Sequence, residues 1–116
     1  NQTVNVSQNK SESVSQSRSI SVTQNQSNNV GLNHSHNVGE NLSQTVGQNL
    51  QQNAGLSITS SAGTTYVISA GDQIVLSVGS ASLVMTSGGA IQLNGTSIEI
   101  GGSSNVHVAA PDVNIN

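Results

Sequence analysis

Three histidines and seven charged side chains are nearly all that this chain offers for chemistry, and one pair is spaced to act together, His34 and His36. Residues two apart on an extended strand share a face, so both imidazoles point the same way as Val38. Neutral imidazole is a common ligand for divalent metals. One chain supplies only two such nitrogens; three parallel copies would bring six around a common axis, in two adjacent rings, an octahedral set suited to iron or another divalent metal. The competing reading is ordinary axial packing, because the same two positions carry Gln26, Leu42, Asn28 and Gln44 in neighbouring stretches. His107 lies between Val106 and Val108, on the opposite face, and is assigned no role.

Other chemistries lack their parts. The acidic residues Glu12, Glu40, Asp72, Glu99 and Asp112 fall in different repeats, so no close carboxylate pair arises for acid–base work. Serine is abundant but falls on outward positions without a partnered His and Asp. Gly88-Gly89 is not a phosphate loop, since no helix signal and no lysine follow it. Cysteine is absent, which removes thiolate and disulfide chemistry. Lys10 and Arg18 are the only basic side chains against a net charge of −3, too few to attract nucleic acid or anionic lipid. The chain is therefore expected not to be an enzyme and not to bind nucleic acid.

What positions the histidines is a repeat of eight residues. Val6, Val14, Val22, Val30, Val38, Val46, Ala54, Ala62, Ala70 and Val78 fill ten consecutive positions at that spacing. The following column reads Ser7, Ser15 and Thr23, then Gly31, Gly39, Gly47, Gly55, Gly63, Gly71 and Gly79. Within each octad the apolar residues alternate, as in Val4/Val6, Ile20/Val22 and Ile74/Leu76/Val78. A period of two marks a half-buried strand, and the small residue after it marks a corner. The corner glycines are expected to take backbone angles that other residues avoid. A strand and corner stacked on themselves make a β-solenoid or β-helix, an all-β fold that a composition of 33% hydrophobic residues with a single aromatic, Tyr66, would not otherwise support.

The inward positions run from polar to dry. Gln2, Lys10, Glu12, Arg18, Gln26, Asn28, His34, His36 and Gln44 come first; Ile58, Tyr66, Ile68, Ile74, Leu76 and Val78 follow. Lys10 and Glu12 are two apart on one face, which fits a matched charge layer as well as a wet interior. After Ser80 the apolar pairs become Leu83/Met85, Ile91/Leu93, Ile98/Ile100, Val106/Val108 and Val113/Ile115, and the spacing slips. Residues 1–80 are thus a regular octad region, and residues 81–116 an irregular-register continuation towards a tip, with a turn expected at Pro111. One chain could wind three octads into each coil, or three chains could wind together. The absence of capping elements and the crowded Val/Ala column favour the homotrimer.

The octads of residues 1–80, with the tail Ser82-Leu83-Val84-Met85-Thr86-Ser87-Gly88-Gly89-Ala90-Ile91-Gln92-Leu93-Asn94-Gly95-Thr96-Ser97-Ile98-Glu99-Ile100, resemble the C-terminal needle of VgrG proteins of the type VI secretion system. They are similar also to the cell-puncturing spikes of contractile-tailed phages. The resemblance implies an intertwined triple-stranded β-helix, a homotrimeric prism. It also implies that a base-forming part and an OB-fold precede the segment in a longer polypeptide. Some phage spikes hold a metal with an inward His-x-His near the tip; here the motif lies in the first third.

The function implied is that of a rigid needle in a cell-envelope-puncturing spike, delivering effectors or tip cargo by contractile injection. Its implied partners are two further copies, a tip-capping or effector protein at the C-terminal end, tail-tube or baseplate components through the preceding part, and transiently the target membrane. Assembly in the bacterial cytoplasm and delivery outward by the contractile machine follow from the same resemblance. About fourteen strands at ~4.8 Å each would give roughly 70 Å, longer than the ~40–45 Å of a bilayer. The alternatives are a trimeric adhesin or fibre shaft, and a spacer for a domain elsewhere in the parent chain.

Overall fold

The computed structural model describes residues 2–116. Contacts divide the chain into two units, Asn1–Leu50 and Gln51–Asn116. Both are free of helix among the described residues, and all regular strands fall in the second.

In the first unit the chain bends at residues 7–8, 15–16, 23–24, 31–32, 39–40 and 47–48. In the second it bends or turns at 55–56, 63–64, 71–72, 79–80 and 87–89, then at 96, 103–104 and 111. The corners therefore stand where the octads place them, and they keep the eight-residue period beyond Ser80, where the apolar pairs lose it. Pro111 occupies the last bend, as expected of a residue that cannot donate to a ladder.

The expected reason for glycine at these corners is overturned. Gly31, Gly39, Gly47, Gly55, Gly63 and Gly71 have ordinary backbone angles, and a Cβ built on any of them meets nothing within 4 Å in the chain. Positive φ is confined to Gly79 at 54° and Gly89 at 88°. A bend between two unpaired segments can be made with common angles, whereas a tight antiparallel reversal cannot.

Gly79 and Gly89 build the one sheet. Strand β1 (Gln73–Val78), β2 (Ala81–Thr86) and β3 (Ile91–Asn94) pair antiparallel in that order. Gly79-Ser80 is a two-residue connection with positive φ at its first position only, the pattern of a type II′ turn, whose twist matches that of the flanking strands. Between β2 and β3, the Gly89 amide donates to the Thr86 carbonyl at 3.0 Å and the Thr86 amide to the Ala90 carbonyl at 3.1 Å. That is a three-residue loop closed by a left-handed glycine bulge. The Ser87 amide extends the first ladder by one rung, donating to the Asp72 carbonyl at 2.8 Å.

Register explains why the apolar spacing slips. Ile74 faces Met85 and Leu76 faces Leu83 across β1 and β2, so even positions of one strand share a face with odd positions of the next. Leu83 faces Leu93 and Met85 faces Ile91 across β2 and β3. One face of the sheet thus carries Ile74, Leu76, Leu83, Met85, Ile91 and Leu93. The other carries Gln73, Ser77, Ser82, Thr86, Gln92 and Asn94 around Val75 and Val84. On this second face the Asn94 amide donates to Ser82 Oγ at 3.5 Å, a long contact.

Replacing Gly79 by Val forces a β-branched residue to positive φ and is expected to cost about 1–3 kcal/mol per chain. Gly47→Ser should cost less than half as much, because its backbone is ordinary and Ser7 and Ser15 fill the same column. Thermal melts of the two variants check this; equal losses would show that the octad corners are as constrained as the hairpin.

Candidate oligomerisation surface and histidine layer

The dominant feature of this chain is what its backbone and apolar side chains lack. Outside residues 72–94, the described chain makes no backbone–backbone hydrogen bond. A folded domain carries about one internal hydrogen bond per residue, and strands cannot remain dry without a ladder. A chain that wound three octads into each coil would pair strands about 24 residues apart, and the described residues contain no such ladder. The single-chain solenoid is therefore not the arrangement present.

Side chains repeat the message. No described hydrophobic residue is buried. The chain exposes 12365 Å², whereas a folded monomer of its mass exposes ~5,900 Å² by the usual scaling with size. From Val6 to Val46 the Val column is more sheltered than the other large apolar side chains of those octads, 39–48% exposed, while Leu32 and Leu56 stand almost fully free at 94% and 102%. Large apolar side chains left exposed in register along a chain are surface suited to an interface.

His34 and His36 lie between the corners at 31–32 and 39–40, and both are exposed. Among the described residues no group of three or more His, Cys, Asp or Glu side chains gathers to hold a metal. The pair is thus at most a third of a coordination shell in one chain, and a closed site requires other copies.

The charged layer is brought together more fully than the sequence indicated. Glu12 Oε2 stands 3.9 Å from Lys10 Nζ, as the two-residue spacing suggested, and Glu12 Oε1 stands 3.0 Å from Arg18 Nε. Arg18 lies one octad beyond Lys10 in the same column, so the eight-residue period was the signal for this second contact. Both cationic side chains of the protein converge on one carboxylate. While these groups are wet, such pairs contribute little, about 0–1 kcal/mol. If an assembly dries them, losing one partner becomes costly, because it leaves a charge uncompensated.

The antiparallel sheet presents the other notable surface, a shallow groove floored by Leu76, Val78, Ala81, Leu83 and Leu93. Sequence alternation indicated apolar pairs here; it did not distinguish a folded-back sheet from further octads. The step of nine residues from Ile74 to Leu83 was the available clue, since it reverses parity as a two-residue hairpin must. No helix among the described residues is long and apolar enough to cross a membrane.

The family model for the bacteriophage T4 gp5 C-terminal trimerisation domain matches residues 1–78. No curated protein matches the chain. The matched segment ends on the last residue of β1, immediately before the Gly79-Ser80 turn.

Proposed function

The chain belongs to the family of the bacteriophage T4 gp5 C-terminal trimerisation domain, and from that membership we propose that it is the needle of a trimeric, cell-envelope-puncturing spike of a contractile injection machine. The observation that carries the proposal is the unpaired backbone of residues 2–71 together with its column of exposed Val and Ala. Two further copies wound in parallel would supply each strand with neighbours on both sides and close the columns on a common axis, making an intertwined triple-stranded β-helix. Ladders that continue around a prism leave edges only at its ends, which is the source of stiffness such a part needs. Its outward skin of Ser, Thr and Asn carries few charges and would slide along a membrane rather than adhere.

Within this proposal the protein is structural rather than catalytic. It is assembled in the bacterial cytoplasm as part of a VgrG-like or phage-spike chain, joined through the preceding part to tail-tube or baseplate components. It carries a tip-capping or effector protein at its C-terminal end and is driven outward through a target membrane. An adhesive shaft would need aromatic platforms or a repeated outward recognition motif, and the one aromatic residue, Tyr66, belongs to an inward column.

Light scattering after size exclusion tests the central element. A mass of three chains, retained in SDS without heating, is the expected outcome; a monomeric mass at micromolar concentration contradicts it.

His34 and His36 are assigned to an axial metal layer of the same trimer, where threefold repetition turns two imidazoles into six nitrogens. Elemental analysis of protein purified without a His-tag should find metal near one ion per trimer, lost in His36→Gln. Less than about a tenth of an ion per trimer, unchanged by that substitution, would leave the pair as axial filler like Gln26 and Asn28.

A further inference from the structure

We propose that the β1–β3 sheet is itself an interface module, in which the apolar faces of three copies meet on the axis of the octads although most of the sheet lies beyond the trimerisation domain. The inference rests on the trimeric reading above and adds to it the face, the residues and the change of strand direction.

Three observations lead to it. First, β1 (Gln73–Val78) belongs wholly to the matched segment, residues 1–78, and its Ile74, Leu76 and Val78 continue the inward columns of the octads. The face of the sheet that carries them is therefore continuous with the trimer interface. Second, the register brings Ala81, Leu83 and Met85 from β2, and Ile91 and Leu93 from β3, onto that same face. Had the octads simply continued, the inward columns would have received Ser82, Val84, Thr86, Ala90, Gln92 and Asn94. The hairpin reverses parity and the sequence reverses with it, so the interface keeps its apolar side. Third, that face is uncovered in a single chain. None of its residues is buried: Leu76 and Leu93 are 54%, Ile91 74% and Val78 83% exposed, and Ile74, Leu83 and Met85 are half-buried, while the opposite face holds mainly Gln, Ser, Thr and Asn. An apolar sheet face left in water is surface that association can bury, and copies aligned through β1 are placed to cover it.

The occupant is thus two further copies of this chain. The module differs from the octads in how its backbone is satisfied. Residues 73–94 close their own ladders within one chain, whereas residues 2–71 leave theirs to neighbours. Three such sheets would form three walls around an apolar centre, joined mainly by side chains.

Single-cysteine variants test the face, because the chain has no cysteine of its own. In the native protein, Leu83→Cys and Leu93→Cys should react with a maleimide at least about tenfold more slowly than Ser82→Cys and Gln92→Cys, since thiol reactivity follows access. Should Leu83→Cys no longer assemble, Leu93→Cys reports the same face. Trimers in which all four thiols react alike, or in which positions 82 and 92 are the protected ones, overturn the proposal without touching the trimer. A monomeric mass for the unmodified chain overturns the trimeric reading, and the proposal with it.

The double variant Ser77→Cys/Ser82→Cys tests strand direction, as these residues are direct cross-strand partners. Their Cα atoms should lie ~4.5–5.5 Å apart, within disulfide reach. Oxidation is expected to leave single chains on a denaturing gel. Covalent dimers or trimers would mean that β1 and β2 pair between copies, and would overturn the folded-back module.

Discussion

Every peptide group taken out of water needs a hydrogen-bond partner, and among the described residues this chain gives partners to its own backbone only between residues 72 and 94. The rest of the structure follows from that constraint. The corners from residue 7 to residue 72 bend the chain without positive φ and do not reverse it, so the segments on either side of them do not pair with one another. Such a segment is stable either in water, without a ladder, or against other chains. The Val/Ala column decides between these, because unbroken apolar spacing over ten octads would be needlessly exposed on an isolated strand.

The two halves of that solution differ in what holds them. In the octads neither backbone pairing nor apolar burial is completed within one chain, so in the proposed trimer both would come from neighbours, and folding would be coupled to assembly and to protein concentration. In residues 73–94 the ladder is intrachain and only the apolar face remains to be covered. The sheet can therefore form before assembly, as a local structure of short sequence separation, and such structures form quickly. The columns proposed to face the axis also change along the sequence, from Lys10, Glu12 and Arg18 through the histidines to Ile74 and Leu76. Polar inward groups at one end demand specific partners, while apolar groups at the other contribute area without register.

Much of this was legible in the residues. The period of eight located the corners from Ser7 to Ser80 and the proline marked the bend at Pro111, whereas the corners between them were expected to lose the period and instead keep it closely; alternation separated inward from outward columns. What it could not convey was strand direction. Leu83/Met85 and Ile91/Leu93 look like displaced octad pairs, and pairing reveals that Leu83/Met85 face Leu76/Ile74 across one hairpin while Leu93/Ile91 face Leu83/Met85 across the next. Glycine was also misleading. Seven successive corners, Gly31 to Gly79, look alike in sequence, yet among the described residues left-handed backbone is found only at Gly79 and, in the next turn, Gly89. The contact of Glu12 with Arg18 joins residues six apart across a corner, a separation that strand alternation does not bring together; the octad spacing of Arg18 from Lys10 is what places it there.

Amide hydrogen exchange on the assembled protein examines the dependence on neighbouring copies most directly, since it reads each backbone donor. If two further copies complete the ladders, amides throughout residues 2–71 should be protected as strongly as those of β1–β3, although none of them is bonded within its own chain. Protection confined to residues 73–94, with the octad amides exchanging at the rate of an unfolded chain, would contradict it.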